Sequence, residues 1–185
     1  MKLHKHTNQI FTIDNFCTQQ ECQEMISHSN ETGYSPALIH SRGNSRWVPE
    51  YRNNTRVFQT SFEMAEQFWQ KLKPVFSIQI GKSVPVGFNE MFRFYKYEPG
   101  EFFARHTDSP YYRTETECSY YTFLLYLNEG YTGGQTAFAD LVIEPKTGMA
   151  LIFHHSLLHE GLVLTEGIKY VLRSDIMFRY METEA

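Results

Sequence analysis

Residues 91–108, MFRFYKYEPGEFFARHTD, combine a strand pattern, a turn and two side chains of types that bind metals. The β-rich run at 91–97 ends at the turn signal Pro99-Gly100. His106 and Asp108 are two positions apart, so on a strand both side chains leave the same face and can reach one metal ion. The stretch therefore predicts a strand that carries part of a metal site.

Further β-rich runs follow, at 120–127, 135–138, 149–153, 158–164 and 170–178. Turn signals rich in Gly, Pro and Asn separate them, which is the layout of an antiparallel sandwich or barrel. Closing such a sheet into two facing layers would bring the His106 and His159 regions together despite their separation in sequence.

The first 87 residues have a different pattern. A short alternating strand at 9–16 precedes Thr18-Gln19-Gln20-Glu21, which has the capping-box form that begins a helix. A second box, Thr60-Ser61-Phe62-Glu63, predicts a helix whose core positions are Phe62, Ala65, Phe68, Trp69 and Leu72. Residues 31–54 are polar and turn-rich and predict a long loop. The fold class is therefore α+β, with helices followed by a β-sandwich.

Composition sets outer bounds on size, partners and compartment. With 185 residues and 42% hydrophobic content, the chain can bury one good core, so we expect a single domain over 1–185. The net charge of −4 supplies no general attraction to nucleic acid or anionic lipid. The three cysteines match no zinc spacing, and we find neither a secretion signal nor a membrane-spanning run, which favours a cytoplasmic protein. The oligomeric state is left open.

Two imidazoles, one carboxylate and one cation form the strongest chemical pattern. His106 and Asp108 are followed by His159 and then by Lys169. A His/His/Asp set suits a divalent iron bound through one face, which leaves positions on the other face for an oxo-acid and dioxygen. His155, four residues before His159, could bind a metal on spacing alone.

The motifs of the C-terminal half occur in a fixed order: YEPG (97–100), HTD (106–108), LYLN (125–128), GGQTAF (133–138), PKTGMALIF (145–153), HEG (159–161) and GIKY (167–170). Over about residues 88 to 180, this series resembles the iron- and 2-oxoglutarate-dependent dioxygenases of the prolyl 4-hydroxylase-like branch. The resemblance implies a double-stranded β-helix (jelly-roll) core at 88–180, with residues 1–87 providing supporting helices and substrate-side loops.

The resemblance also implies roles for individual residues. His106, Asp108 and His159 would be the iron ligands and the catalytic centre. Lys169 would pair with the distal carboxylate of 2-oxoglutarate, since a dicarboxylate entering an apolar barrel needs its charge neutralised.

Other residues are candidates for contacts with the cosubstrate. Arg173, four residues after Lys169 on the same strand face, could share its role or hold the lysine in place. Tyr97 and Tyr126 match family positions whose phenols contact the cosubstrate, although both would also suit the core. Thr136 would line the same pocket.

Candidates on the substrate side come from the polar stretch 51–57 and from the first strand of the core. Asn54 and Arg56 would meet substrate at the mouth of the barrel, or belong to a solvated loop edge. Arg93 shares a strand face with Tyr95 and Tyr97 and so could point toward the pocket, or form a structural ion pair.

The leading hypothesis is an enzyme that uses Fe(II), 2-oxoglutarate and dioxygen, with ascorbate, to hydroxylate a C–H bond and release succinate and carbon dioxide. The substrate would be a prolyl or other protein side chain, or a small molecule. A non-catalytic β-sandwich that binds metal or 2-oxoglutarate as a sensor or interaction module is the alternative. A cupin-like metalloenzyme with an additional ligand such as His155 is another, and a zinc hydrolase is disfavoured because no helical HExxH motif is present.

Overall fold

A computed structural model of the chain describes residues 1–41 and 44–182. The described residues form helices α1 (Gln19–Thr32) and α2 (Phe62–Leu72) and 17 strands. The strands are β1 (Lys2–Lys5), β2 (Ile10–Asp14), β3 (Ser35–Pro36), β4 (Ile39–Ser41), β5 (Asn44–Arg46), β6 (Thr55–Thr60), β7 (Ser83–Phe88), β8 (Met91–Tyr97), β9 (Phe103–His106), β10 (Glu117–Tyr126), β11 (Thr132–Gly133), β12 (Thr136–Ala137), β13 (Val142–Ile143), β14 (Ala150–His154), β15 (His159–Gly161), β16 (Leu164–Glu166) and β17 (Lys169–Tyr180). Among the described residues, no helix is long and apolar enough to cross a membrane.

A nine-stranded antiparallel sheet, the major sheet, forms the backbone of the fold. Its order is β1-β2-β14-β10-β17-β8-β6-β3, and β7 pairs with the C-terminal part of β17. Strands β10, β14 and β17 lie inside this sheet and are largely buried on both faces, because both faces are covered.

The two faces of the major sheet bury different clusters. Phe92 and Phe94 of β8 pack with the helices, where the Phe68 ring of α2 lies 5.7 Å from that of Phe92. Tyr95 and Tyr97 of the same strand point the other way, into a second cluster between the sheets. This alternation follows from the two-residue period of a strand.

A four-stranded minor sheet, β13-β12-β15-β9, faces the second cluster. Along the chain, β8, β10, β14 and β17 of the major sheet alternate with β9, β12, β13 and β15 of the minor sheet. This arrangement is a double-stranded β-helix, so the predicted fold class is confirmed.

The first 87 residues contribute more than the predicted helices and loops. Strand β2 pairs with β14 and β6 pairs with β8, so both extend the major sheet at its edges. The predicted loop 31–54 contains the short strands β3, β4 and β5, and its residues 42–43 lie outside the described part of the chain. The division at residue 87 and the single domain stay predictions.

The predicted cap of α1 is confirmed, whereas that of α2 is wrong by one residue. At α1, Thr18 and Glu21 form both hydrogen bonds of the capping box. At α2 the N-cap is Ser61, whose Oγ accepts from Met64 N at 3.1 Å, because Thr60 is still paired with Met91 in the β6–β8 ladder. Phe62 is consequently 72% exposed rather than buried.

Candidate active site

A pocket between the two sheets collects most of the predicted site residues. The major sheet contributes Tyr95 and Tyr97 from β8 and Lys169 and Arg173 from β17. The minor sheet contributes His106, His159 and Thr136. Asp108 comes from the segment after β9, so the prediction that it shares a strand with His106 is wrong, because β9 ends at His106. Tyr126 lies against this pocket with its hydroxyl group 2.7 Å from Thr136 Oγ1.

The two histidines are brought together by the pairing of β9 with β15, in which His106 is directly opposite His159. Each ring is oriented by its own strand, because His106 Nδ1 donates to Ala104 O at 2.7 Å and His159 Nδ1 donates to Leu157 O at 2.9 Å. Both Nε2 atoms are therefore unprotonated lone-pair donors, a common arrangement of metal-binding histidines.

Asp108 completes a group of three. Its two carboxylate oxygens lie 3.7 Å from His106 Nε2 and 3.7 Å from His159 Nε2, and one ligand atom from each residue lies within 4.8 Å of the others. Burial lowers the pKa of His106 to about 4 and also lowers that of His159, so both rings are neutral near pH 7. Two neutral imidazoles and a carboxylate fit a divalent transition metal.

The Asp108 carboxylate is held on both oxygens. Arg173 Nη2 lies 2.8 Å from Oδ1, and the Thr122 hydroxyl donates to Oδ2 at 2.5 Å. Burial alone would raise the pKa of Asp108, but Arg173, His159 and the Thr122 hydrogen bond together hold it well below its usual range. The aspartate is therefore ionised before any metal binds.

A series of hydrogen bonds that starts at Asp108 includes both ring nitrogens of His155. The Thr122 hydroxyl donates its one hydrogen to Asp108, so it accepts from His155 Nδ1 at 2.9 Å. His155 Nε2 then accepts from the Ser119 hydroxyl at 2.9 Å, and Ser119 Oγ accepts from Tyr111 N. Both ring nitrogens of His155 are occupied, so this residue supports Asp108 indirectly and does not offer the additional ligand of a cupin-like site.

Lys169 lies at the other end of the pocket and is fully enclosed. Its Nζ donates to Gly134 O at 2.5 Å and lies 5.0 Å from the ring centroid of Tyr97. Within the described residues no carboxylate pairs with it, and burial lowers its pKa to about 7. Gly134 allows this approach, since a Cβ there would lie 3.2 Å from the lysine side chain and its φ of +68° disfavours other residues.

Arg173 and Lys169 have separate surroundings although they share a strand face. The ion pairs of Arg173 are with Asp108 and, at 3.6 Å, with Asp175. Four residues of strand separate the two cations, a spacing of about 13 Å. The structure thus places Arg173 beside the His106/Asp108/His159 group and Lys169 at the other end of the pocket.

The predicted substrate-side residues are all hydrogen-bonded, and Asn54 and Arg56 are buried whereas Arg93 is half-buried. Arg93 pairs with Asp175 at 3.3 Å, and Arg56 Nη2 donates to Leu38 O at 2.9 Å. Asn54 Oδ1 accepts from Arg52 Nε at 2.7 Å. Sequence reasoning did not select Arg52, although its two-residue spacing from Asn54 was a signal that both side chains point to the same side.

A His/Asp/His group with open positions beside it is typical of non-haem Fe(II) oxygenases. Residues 92–174 match the model of the 2OG-Fe(II) oxygenase superfamily. Residues 92–174 are therefore similar to 2OG-Fe(II) oxygenases, and the predicted resemblance to 2-oxoglutarate-dependent dioxygenases is confirmed.

Solved structures of prolyl hydroxylases share the fold. The collagen prolyl hydroxylase of Paramecium bursaria Chlorella virus-1, in its 2OG complex, is 22% identical with a TM-score of 0.62, and the match covers 91% of this chain and 96% of that one. The prolyl-4-hydroxylase of Pseudomonas putida is 19% identical with a TM-score of 0.68, covering 92% and 93%. A Trichoplax adhaerens prolyl hydroxylase in complex with a hypoxia inducible factor peptide fragment is 19% identical with a TM-score of 0.71, covering 92% and 84%. No curated protein sequence matches the chain significantly.

Proposed function

We propose that this protein hydroxylates a C–H bond of a prolyl or other protein side chain, with release of succinate and carbon dioxide. The observation that carries the proposal is the His106/Asp108/His159 group in the same pocket as a buried lysine that has no acidic partner among the described residues. The fold shared with prolyl hydroxylases, one of them in complex with a peptide, supports a protein substrate.

His106, Asp108 and His159 would hold the iron, and Lys169 would hold the distal carboxylate of 2-oxoglutarate. Bound Fe(II) and 2-oxoglutarate would supply the oxidising power that activates dioxygen for attack on a C–H bond. Tyr126 and Thr136 share a hydrogen bond beside Lys169, and either hydroxyl could be offered to a carboxylate.

The remaining pocket residues would exclude water and keep the acid ligand oriented. Arg173 and Thr122 fix the plane of the Asp108 carboxylate, so we assign Arg173 to positioning the metal ligand and not to the cosubstrate. Phe103 covers one side of His106, with ring centroids 3.6 Å apart.

The test is succinate formation from 2-oxoglutarate with Fe(II), ascorbate and oxygen, in the presence and absence of proline-containing peptides. We expect peptide-stimulated succinate from the wild type and none from His106→Ala or Asp108→Ala. Binding of metal and 2-oxoglutarate without succinate under every condition would favour the sensor or interaction module. Succinate without stimulation by any peptide would retain the oxygenase class and reject the protein substrate.

A further inference from the structure

Arg52 is a buried arginine beside the pocket whose environment suits an anionic ligand. It is 4% exposed, and within residues 1–41 and 44–182 its Nη2 atom has no hydrogen-bond partner. Its Nε donates to Asn54 Oδ1, and the guanidinium also hydrogen-bonds to the Tyr95 hydroxyl, so neither of these partners is a carboxylate. A buried charged nitrogen without a partner is costly, which makes it a candidate for a ligand contact.

The position of Arg52 is fixed by the edge of the minor sheet. Arg52 forms an isolated β-bridge with Phe103, and Ala104 N donates to Tyr51 O at 2.8 Å, so this segment runs beside β9. The guanidinium carbon lies 4.3 Å from the ring centroid of Phe103 and 4.5 Å from that of Tyr95. Because Phe103 stacks on His106, one aromatic ring separates Arg52 from the metal-binding group.

Among the residues that the structure describes, the charges around Tyr95 leave Arg52 without an acidic partner. Three arginines act on this phenol, namely Arg52, Arg173 and Arg93. The carboxylates of Asp108 and Asp175 pair with Arg173 and Arg93. Tyr95 does not supply the missing negative charge at neutral pH, because its pKa is lowered only to about 8, where the phenol is still mostly protonated at pH 7.

Binding of the metal ion and 2-oxoglutarate would not neutralise the positive charge of the arginines around Tyr95. A divalent metal ion and the 2-oxoglutarate dianion cancel each other, and the distal carboxylate would lie near Lys169 at the opposite end of the pocket. Arg52 lies instead against Tyr95 and Phe103, two residues that line the pocket.

We propose that the substrate carries a carboxylate and that Arg52 binds it through Nη2. The proposal rests on the proposed function, since it identifies a feature of the substrate of that same site. The charge-assisted hydrogen bond would orient the substrate, with the C–H bond to be oxidised toward the metal.

The experiment uses protein loaded with zinc and with N-oxalylglycine, a 2-oxoglutarate analogue, so that the metal and Lys169 are occupied and no turnover is needed. Two matched probe pairs are titrated by calorimetry: N-acetyl-L-proline against N-acetyl-L-prolinamide, and N-acetyl-L-leucine against its amide. We expect the acid of at least one pair to bind about tenfold or more tightly than its amide, the size of one charge-assisted hydrogen bond.

Arg52→Gln should abolish the preference for the acid, Arg52→Lys should keep part of it, and Arg46→Gln at an exposed arginine should keep all of it. The affinity for N-oxalylglycine shows that each variant is folded.

Equal binding of acid and amide in both pairs, or no binding of either, overturns the proposal. A preference for the acid that survives Arg52→Gln also overturns it. If Arg52 only packs against the two rings, the substitution lowers stability and leaves the acid-to-amide ratio unchanged. Failure of zinc and N-oxalylglycine to bind the wild type would instead count against the proposed function.

Discussion

Lys169 makes the proposed cosubstrate site sensitive to pH at the scale of one residue. Burial lowers its pKa from 10.5 to about 7, and only the protonated ammonium attracts a carboxylate. We expect the Kd of 2-oxoglutarate to be constant below pH 7 and to rise about tenfold per pH unit above it, because binding must then take up a proton. Calorimetry of the zinc-loaded protein in buffers of different ionisation enthalpy should show uptake of about one proton at pH 8.5.

The matched control for this prediction is Lys169→Arg, whose guanidinium stays charged, so its Kd should not change with pH. A pH-independent Kd in the wild type would contradict the prediction.

The lowered pKa of Lys169 also affects the stability of the protein without ligands. Between pH 7 and 10.5 the unfolded chain holds a proton that the folded chain has released, so this lysine makes stability rise with pH in that window.

Substitution of Arg173 should weaken the binding of the metal, whereas substitution of Lys169 should weaken the binding of 2-oxoglutarate. Because Arg173 Nη2 contacts Asp108 at 2.8 Å, Arg173→Gln should weaken metal binding by about 10- to 100-fold, as loss of a group that orients a metal ligand does. At saturating metal, the affinity for 2-oxoglutarate should change by less than about twofold. The measurement is a competitive metal titration followed by a 2-oxoglutarate titration. The reverse pattern, with normal metal affinity and weak 2-oxoglutarate binding, would show that Arg173 shares the role of Lys169.

At the scale of a single element, helix α2 offers a test of where a strand ends and a helix begins. Ser61 Oγ accepts the Met64 amide hydrogen bond, whereas Thr60 is a strand residue paired with Met91. Ser61→Ala should therefore lower the free energy of unfolding by about 1 kcal/mol, and Thr60→Ala by less than half of that. Chemical denaturation of the two variants measures the difference. A larger loss at Thr60 would assign the cap to the residue that the sequence pattern favoured.

Sequence reasoning succeeded where periodicity and spacing act locally. The turn signals between β-rich runs indicated the strands that carry the site, and the spacing of His106 and Asp108 correctly grouped the two side chains, although β9 ends at His106 and Asp108 follows it. The cap of α2 was missed because the pairing of Thr60 with Met91, 31 positions away, decides the boundary. The environments of Arg52 and His155 depend on contacts between elements that no local pattern contains.

At the scale of the whole molecule, the candidate site connects the two sheets. His106 and His159 belong to the minor sheet. Asp108 is contacted by Thr122 and Arg173, which both belong to the major sheet. A metal ion bound by the three ligands would therefore join the layers, in addition to the apolar contacts between them. Folding and ligand binding should be thermodynamically linked in this protein.

The linkage predicts a large ligand-dependent increase in thermal stability. Zinc and N-oxalylglycine each at about 100 times their Kd should add about 2.7 kcal/mol per ligand, and for a chain of this size each kcal/mol raises Tm by roughly 2–4 °C. Differential scanning calorimetry with and without EDTA measures the effect. His159→Ala should lose most of the increase from both ligands, whereas Lys169→Ala should keep the zinc increase and lose that from N-oxalylglycine. An increase that persists in His159→Ala would mean that the ligands bind elsewhere, because removal of one of three ligands leaves no comparable metal site among the described residues.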